Sequence, residues 1–145
     1  ERVTALGSPP PWHAVVVQPP VAVSTAWAYA RLDETERPSR SRNASVTLQL
    51  GEALQRREFD TVVELMQNDF HDVIAGEHEE IRTALDALTR AGAPRAMLTG
   101  SGSCVFSLAR DEQQRMQIAQ NLELPEGYTA YECSFFDGHA WRSAA

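Results

Sequence analysis

Lysine is absent from this chain of 145 residues, whose 13 basic side chains are all arginine. A phosphate-binding P-loop lysine, a Schiff-base lysine and a lysine general base are therefore excluded within it. Cysteine is scarce: Cys104 and Cys133 make neither a disulfide framework nor a four-ligand zinc site, and they suit a reducing, cytoplasmic setting in which thiols pack as small apolar groups. No apolar run approaches the roughly 20 residues that cross a bilayer, so no membrane span is expected. Positive charge is in deficit, 13 basic against 20 acidic side chains for a net of -7. Such a surface repels a phosphate backbone, and nucleic acid is not expected as a partner. Internal repeats and low-complexity tracts are also lacking. The chain opens on Glu1 with no charged and apolar leader pattern, and it reads as a piece of a longer protein.

What is present describes a globular domain: 43% hydrophobic and 23% charged residues, with mean hydropathy -0.35. A chain this long buries about 68–70% of its unfolded surface, which suits one domain over residues 1–145. Pro9-Pro-Pro-Trp12 leads into a β-branched run, 13–18, closed by Pro19-Pro20, and predicts a buried strand. Ser24 or Thr25 caps a helix to about Leu32, and the polar stretch 33–44 predicts a solvated loop. Val46, Leu50 and Leu54 recur every four residues in a second helix, and Asp60 is expected to cap a third containing Val62, Val63, Leu65 and Met66. Ile81, Ala84, Leu85 and Leu88 mark an amphipathic helix from about Glu77 to Ala91, stopped by Gly92. Residues 95–99 and 104–109 predict a hairpin, Asp111 caps a last helix to about Leu122, and 128–136 alternates as a final strand. The order β, α, α, α, α, β, β, α, β predicts an α+β ferredoxin-like sandwich, a four-stranded antiparallel sheet with helices packed on one face.

The most informative segment is Leu98-Thr-Gly100-Ser101-Gly102-Ser103-Cys-Val-Phe106, the only glycine-rich stretch. Glycine permits sharp turns and close backbone approach, and successive N–H groups in such a loop can form an anion nest. It is not a dinucleotide fingerprint, because Val105 stands where a third glycine is needed and a strand follows instead of a helix. An ordinary hairpin turn is the competing reading.

This loop between two strands resembles the third motif of the GHMP kinase superfamily, a group of small-molecule kinases. Gln18-Pro-Pro-Val-Ala-Val-Ser-Thr25 is similar to the entry of that family's C-terminal domain. Asn68-Asp69 matches a pair typical of one branch, and Gly92-Ala93-Pro94 precedes the motif as it does there. The opening Glu1-Arg2-Val3 and the valine-rich strand are similar to the isoprenoid-pathway branch, whose acceptor is a cytidine-diphosphate-linked methylerythritol. The resemblance implies a C-terminal domain whose partner, an N-terminal kinase domain holding ATP and Mg2+, lies outside this chain. It implies no catalytic residue and no metal ligand here, and an inactive isolated fragment. Gly100, Ser101, Gly102 and Ser103 are then expected at the bound nucleotide, and Thr25 and Thr99 at the acceptor substrate. For Thr25 a plain helix cap is the alternative, and for Asn68 and Asp69 a structural role is favoured. Other readings are another GHMP kinase, acting on homoserine, mevalonate or a sugar, and a stand-alone ferredoxin-like module binding a small ligand.

His13, His71, His78 and His139 show no metal-ligand spacing and are expected to be satisfied surface histidines. Trp12, Trp27, Tyr29 and Tyr131 come from separate segments and are expected in the core rather than as a base-stacking set. Cys104 is expected to be a core contact and not a nucleophile.

Overall fold

Three consecutive valines favour extended backbone, and His13–Gln18 forms strand β1. The computed structural model describes residues 10–35 and 44–135. After β1 come helices α1 (Thr25–Glu34), α2 (Ala44–Arg56), α3 (Phe59–Leu65), α4 (His71–Glu77) and α5 (Glu79–Arg90). Strands β2 (Met97–Leu98) and β3 (Val105–Ala109), helix α6 (Glu112–Asn121) and strand β4 (Thr129–Ser134) complete the chain. The strands form one antiparallel sheet in the order β2-β3-β1-β4. In its register Ala14 faces Leu108 and Cys133, and Leu98 faces Val105. This is the α+β ferredoxin-like arrangement, with extra helices between β1 and β2.

Both faces of the sheet are covered over β1 to β3, while the edge strand β4 is exposed along its length. Val15, Val17, Leu98, Val105 and Ala109 meet Ala28, Ile74, Ile81, Leu88 and Ile118 from α1, α4, α5 and α6 in the larger core. On the opposite face Ala14, Met97 and Leu108 pack with Ala53 of α2 and Phe59, Val62 and Val63 of α3. The expectation of helices on one face is corrected to this extent. Its physical basis is that β3 has no polar face: Val105, Ser107, Leu108 and Ala109 are buried and Phe106 half-buried. Trp12 meets Phe59 edge-on with ring centroids 5.2 Å apart, and Arg95 ties the end of α3 by donating to the carbonyls of Val63 and Glu64 at 2.9 and 2.8 Å.

Several boundaries differ from expectation. Helix α4 was not foreseen, and His78, extended at φ -124°, divides it from α5. Asp60 is not a cap: Glu58 takes that place, and Asp60, in the first turn of α3, pairs with Arg110 at 2.5 Å. The stretch 33–44 begins as helix through Glu34 and ends as helix from Ala44, while 36–43 lies outside the described residues. Residues Glu1-Arg2-Val3, Pro9, Phe136 and His139 also lie outside them.

Candidate functional site

The segment between β2 and β3 is a tight turn. The Thr99 N–H donates to the Cys104 carbonyl and the Gly102 N–H to the Thr99 carbonyl, both at 3.0 Å. Gly100 and Gly102 sit at φ +55° and +90°, in the left-handed region open to glycine. A Cβ on Gly102 would stand 3.3 Å from Leu98 Cδ1 and 3.6 Å from Ile74 Cγ2, so the turn lies directly on the larger core. Two N–H groups, those of Thr99 and Gly102, thus close the turn itself.

Helix α1 points its first residue at this turn. Ser24 is the N-cap, accepting weakly from the Trp27 N–H at 3.5 Å, which leaves the Thr25 side chain for another role. Thr25 Oγ1 lies 3.1 Å from Ser101 Oγ, joining residues 76 positions apart. At its other end α1 is tied to α4, because Arg31 pairs with Glu77 as well as with Glu34. Hydrogen bonds to Glu77, then to Glu34, hold the Arg31 guanidinium above its ordinary pKa.

The outer edge of β2 is satisfied by side chains. Asn68 Nδ2 donates to the carbonyls of Leu98 and Gly100 at 2.7 and 2.9 Å, while Asn68 Oδ1 accepts from the Phe70 N–H at 2.9 Å. His71 Nδ1 accepts from the Leu98 N–H at 3.2 Å, which places its ring proton on Nε2. Beside these residues opens a groove of about 490 Å³, with Gln67–Phe70 on one side and Met97–Gly100 and Phe106 on the other. Thr99 and Gly100 line the groove, whereas Thr25 reaches the turn through Ser101. The structural role expected for Asn68 thus has specific partners in the turn, and the contact of His71 with Leu98 lies beyond what the sequence implied. The spacing of these residues, thirty positions from the turn, carries no local signal of that contact.

The remaining candidates are structural or peripheral. Trp12 is buried and Trp27 lies against the larger core, but Tyr29 and Tyr131 are about half exposed, contrary to the core expectation. Tyr29 packs edge-on to Phe70 at 5.0 Å, and the Tyr131 hydroxyl donates to Gln18. Cys104 is half-buried and Cys133 exposed, both as free thiols. His13 hydrogen-bonds Ser134 at 3.0 Å, while buried His78 Nε2 has no hydrogen-bond partner. Among the described residues no group of three or more His, Cys, Asp or Glu is placed to hold a metal ion, and no helix is long and apolar enough to cross a membrane.

The chain combines a four-stranded antiparallel sheet with a glycine turn met by the first residue of a helix, and the family described as GHMP kinases C terminal matches residues 50–125. The chain belongs to that family. Among curated proteins it is similar to 4-diphosphocytidyl-2-C-methyl-D-erythritol kinase of Solidesulfovibrio magneticus, 38% identical over 120 residues, 83% of this chain and 40% of the relative. The same-named enzyme of Geobacillus kaustophilus is 31% identical over 122 residues, 84% of this chain and 40% of that protein. The chain thus spans about two fifths of the length of these relatives. Among solved structures it shares its fold with homoserine kinase from Cytophaga hutchinsonii, with TM-score 0.76, 20% identity, and coverage of 94% of this chain and 45% of the other.

Proposed function

We propose that this chain is the acceptor-positioning half of an ATP-dependent kinase that phosphorylates the 2-hydroxyl of 4-diphosphocytidyl-2-C-methyl-D-erythritol, a step of non-mevalonate isoprenoid biosynthesis in the cytoplasm. The observation that carries this reading is the identity of 38% and 31% to two enzymes bearing that substrate's name, across more than four fifths of the chain. In the reaction the substrate oxygen forms a bond to the γ-phosphorus of ATP, the β–γ bridge breaks to release ADP, and the hydroxyl proton leaves. Catalysis of such a transfer rests on positioning and charge neutralisation. The chain supplies positioning. The hydroxyls of Ser101 and Ser103 and the amides of Gly100, Ser101 and Ser103 meet phosphate oxygens, Gly102 giving the turn its close seat on the core, while Thr25 and Thr99 meet the acceptor.

ATP, Mg2+ and the proton-accepting base are assigned to an N-terminal kinase domain beyond this chain. The test is a coupled ADP-release assay on the protein from its complete reading frame, with 4-diphosphocytidyl-2-C-methyl-D-erythritol, homoserine and mevalonate as acceptors. Turnover with the first acceptor alone is expected; turnover with one of the others instead would move the assignment within the family. The 145-residue chain by itself is expected to release no ADP above background with any acceptor, and measurable phosphoryl transfer by it would contradict the division of labour.

A further inference from the structure

We propose that Asn68 is a positioning residue for phosphoryl transfer, setting the path of the glycine turn and through it the Ser101–Thr25 contact; this rests on the kinase reading above. Strand β2 has only two residues and lies at the sheet edge, where backbone groups need partners other than a neighbouring strand. The N–H and C=O of Leu98 both point away from β3, toward the segment 68–71. His71 Nδ1 takes the N–H, and Asn68 Nδ2 takes the C=O.

Asn68 does more than close that edge, because its second amide hydrogen reaches the Gly100 carbonyl. One planar group thus holds residues 98 and 100, on either side of the point where strand becomes turn. The carboxamide cannot be reversed: the Phe70 N–H requires an oxygen at Oδ1, and two carbonyls require donors at Nδ2. The next residue after Gly100 is Ser101, whose hydroxyl meets Thr25 3.1 Å away. Asn68 belongs to neither apolar core. Its loss should therefore displace the turn without dissolving the fold, and a displacement on the order of 1 Å at a reacting centre costs up to about 100-fold in rate.

The experiment is Asn68→Asp in the protein from its complete reading frame. The substitution keeps shape but sets carboxylate oxygens against two carbonyls. Expected are a kcat lowered about 10- to 100-fold, a KM for ATP changed less than about threefold, and a lowered thermal midpoint with cooperative unfolding retained. The Gly100 and Gly102 amide resonances, read by selective 15N-glycine labelling, should move while other glycines stay. Asn68→Ala, which removes the donors without adding charge, should lower kcat less and shift the same two resonances. Unmoved Gly100 and Gly102 resonances, an unchanged kcat, or loss of the fold in both variants would each overturn the assignment, the last by making Asn68 part of the scaffold. If the wild-type protein does not turn over the cytidine-linked acceptor, the proposed function fails, and the glycine resonances still decide the role of Asn68.

Discussion

At the scale of single residues, the two glycines of the turn are not equivalent. A Cβ on Gly100 would meet open space, so alanine there bears only the cost of a left-handed backbone, about 1–2 kcal/mol. Gly102 has the larger positive φ, and its missing Cβ also faces Leu98 Cδ1 at 3.3 Å, closer than side chains ordinarily pack. Gly102→Ala should accordingly cost more than Gly100→Ala, about 2–3 kcal/mol, because strain and a tight contact add. Urea unfolding of the two variants checks the ranking, and equal losses would mean that Leu98 yields without cost. The same reasoning separates Ser24 from Thr25. Adjacent hydroxyl residues at a helix start are interchangeable as sequence signals, yet only the backbone path decides which one caps and which one reaches Ser101.

At the scale of elements, the caps differ in quality. Asp111 accepts from the Gln114 N–H at 2.8 Å, while Ser24 accepts from Trp27 at 3.5 Å. Asp111→Ala is expected to lower stability by about 1 kcal/mol and Ser24→Ala by no more than a few tenths, measurable as a difference in denaturation midpoint. These caps also show what could be read beforehand. Strand β1, helices α5 and α6, the hairpin and the edge strand β4 were legible because each had a strong local signal: a valine run, a clean apolar stripe, a capping aspartate or alternation between turn residues. The Schellman pair at Gly92, with Gly92 and Ala93 donating to Thr89 and Leu88, made the end of α5 equally plain. Helix α4 was not legible, since seven residues give barely two turns of pattern and the break at His78 has neither glycine nor proline. Asp60 misled for the opposite reason: a good capping residue sits two positions past the cap, Glu58, and is drawn to Arg110 instead. Of the candidate site, the turn and Thr25 were readable, but the anchoring by Asn68 and His71 is a contact across thirty residues that no spacing rule encodes.

At the scale of the whole molecule, one sheet separates two cores: the larger lies directly beneath Gly102, while Met97 and Phe106 of the smaller line the groove beside Thr99 and Gly100. The sequence of β3, apolar on both faces but for Ser107, was the available sign of two-sided burial, which alternation-based reading of an antiparallel strand discounts. Ile74, fully buried in α4, belongs to the larger core and stands 3.6 Å from where a Gly102 Cβ would be. Phe59 is as deeply placed, 3% exposed, but in the smaller core, stacked edge-on with Trp12 and covered by Arg110 4.6 Å from its ring centre. Truncation to alanine removes about half as many carbons at Ile74 as at Phe59, and the expected costs overlap at about 2–5 kcal/mol and about 3–5 kcal/mol. The energies should be similar and the structural consequences different. Ile74→Ala opens space directly beneath the turn, so the Gly100 and Gly102 amide resonances should shift along with the loss of stability. Phe59→Ala loosens α3 on the far face of the sheet and should leave those resonances in place at matched folded population. If both variants moved the turn equally, the sheet would be transmitting strain between its faces, and the α2–α3 layer would be part of the site's support rather than a separate stabilising cover.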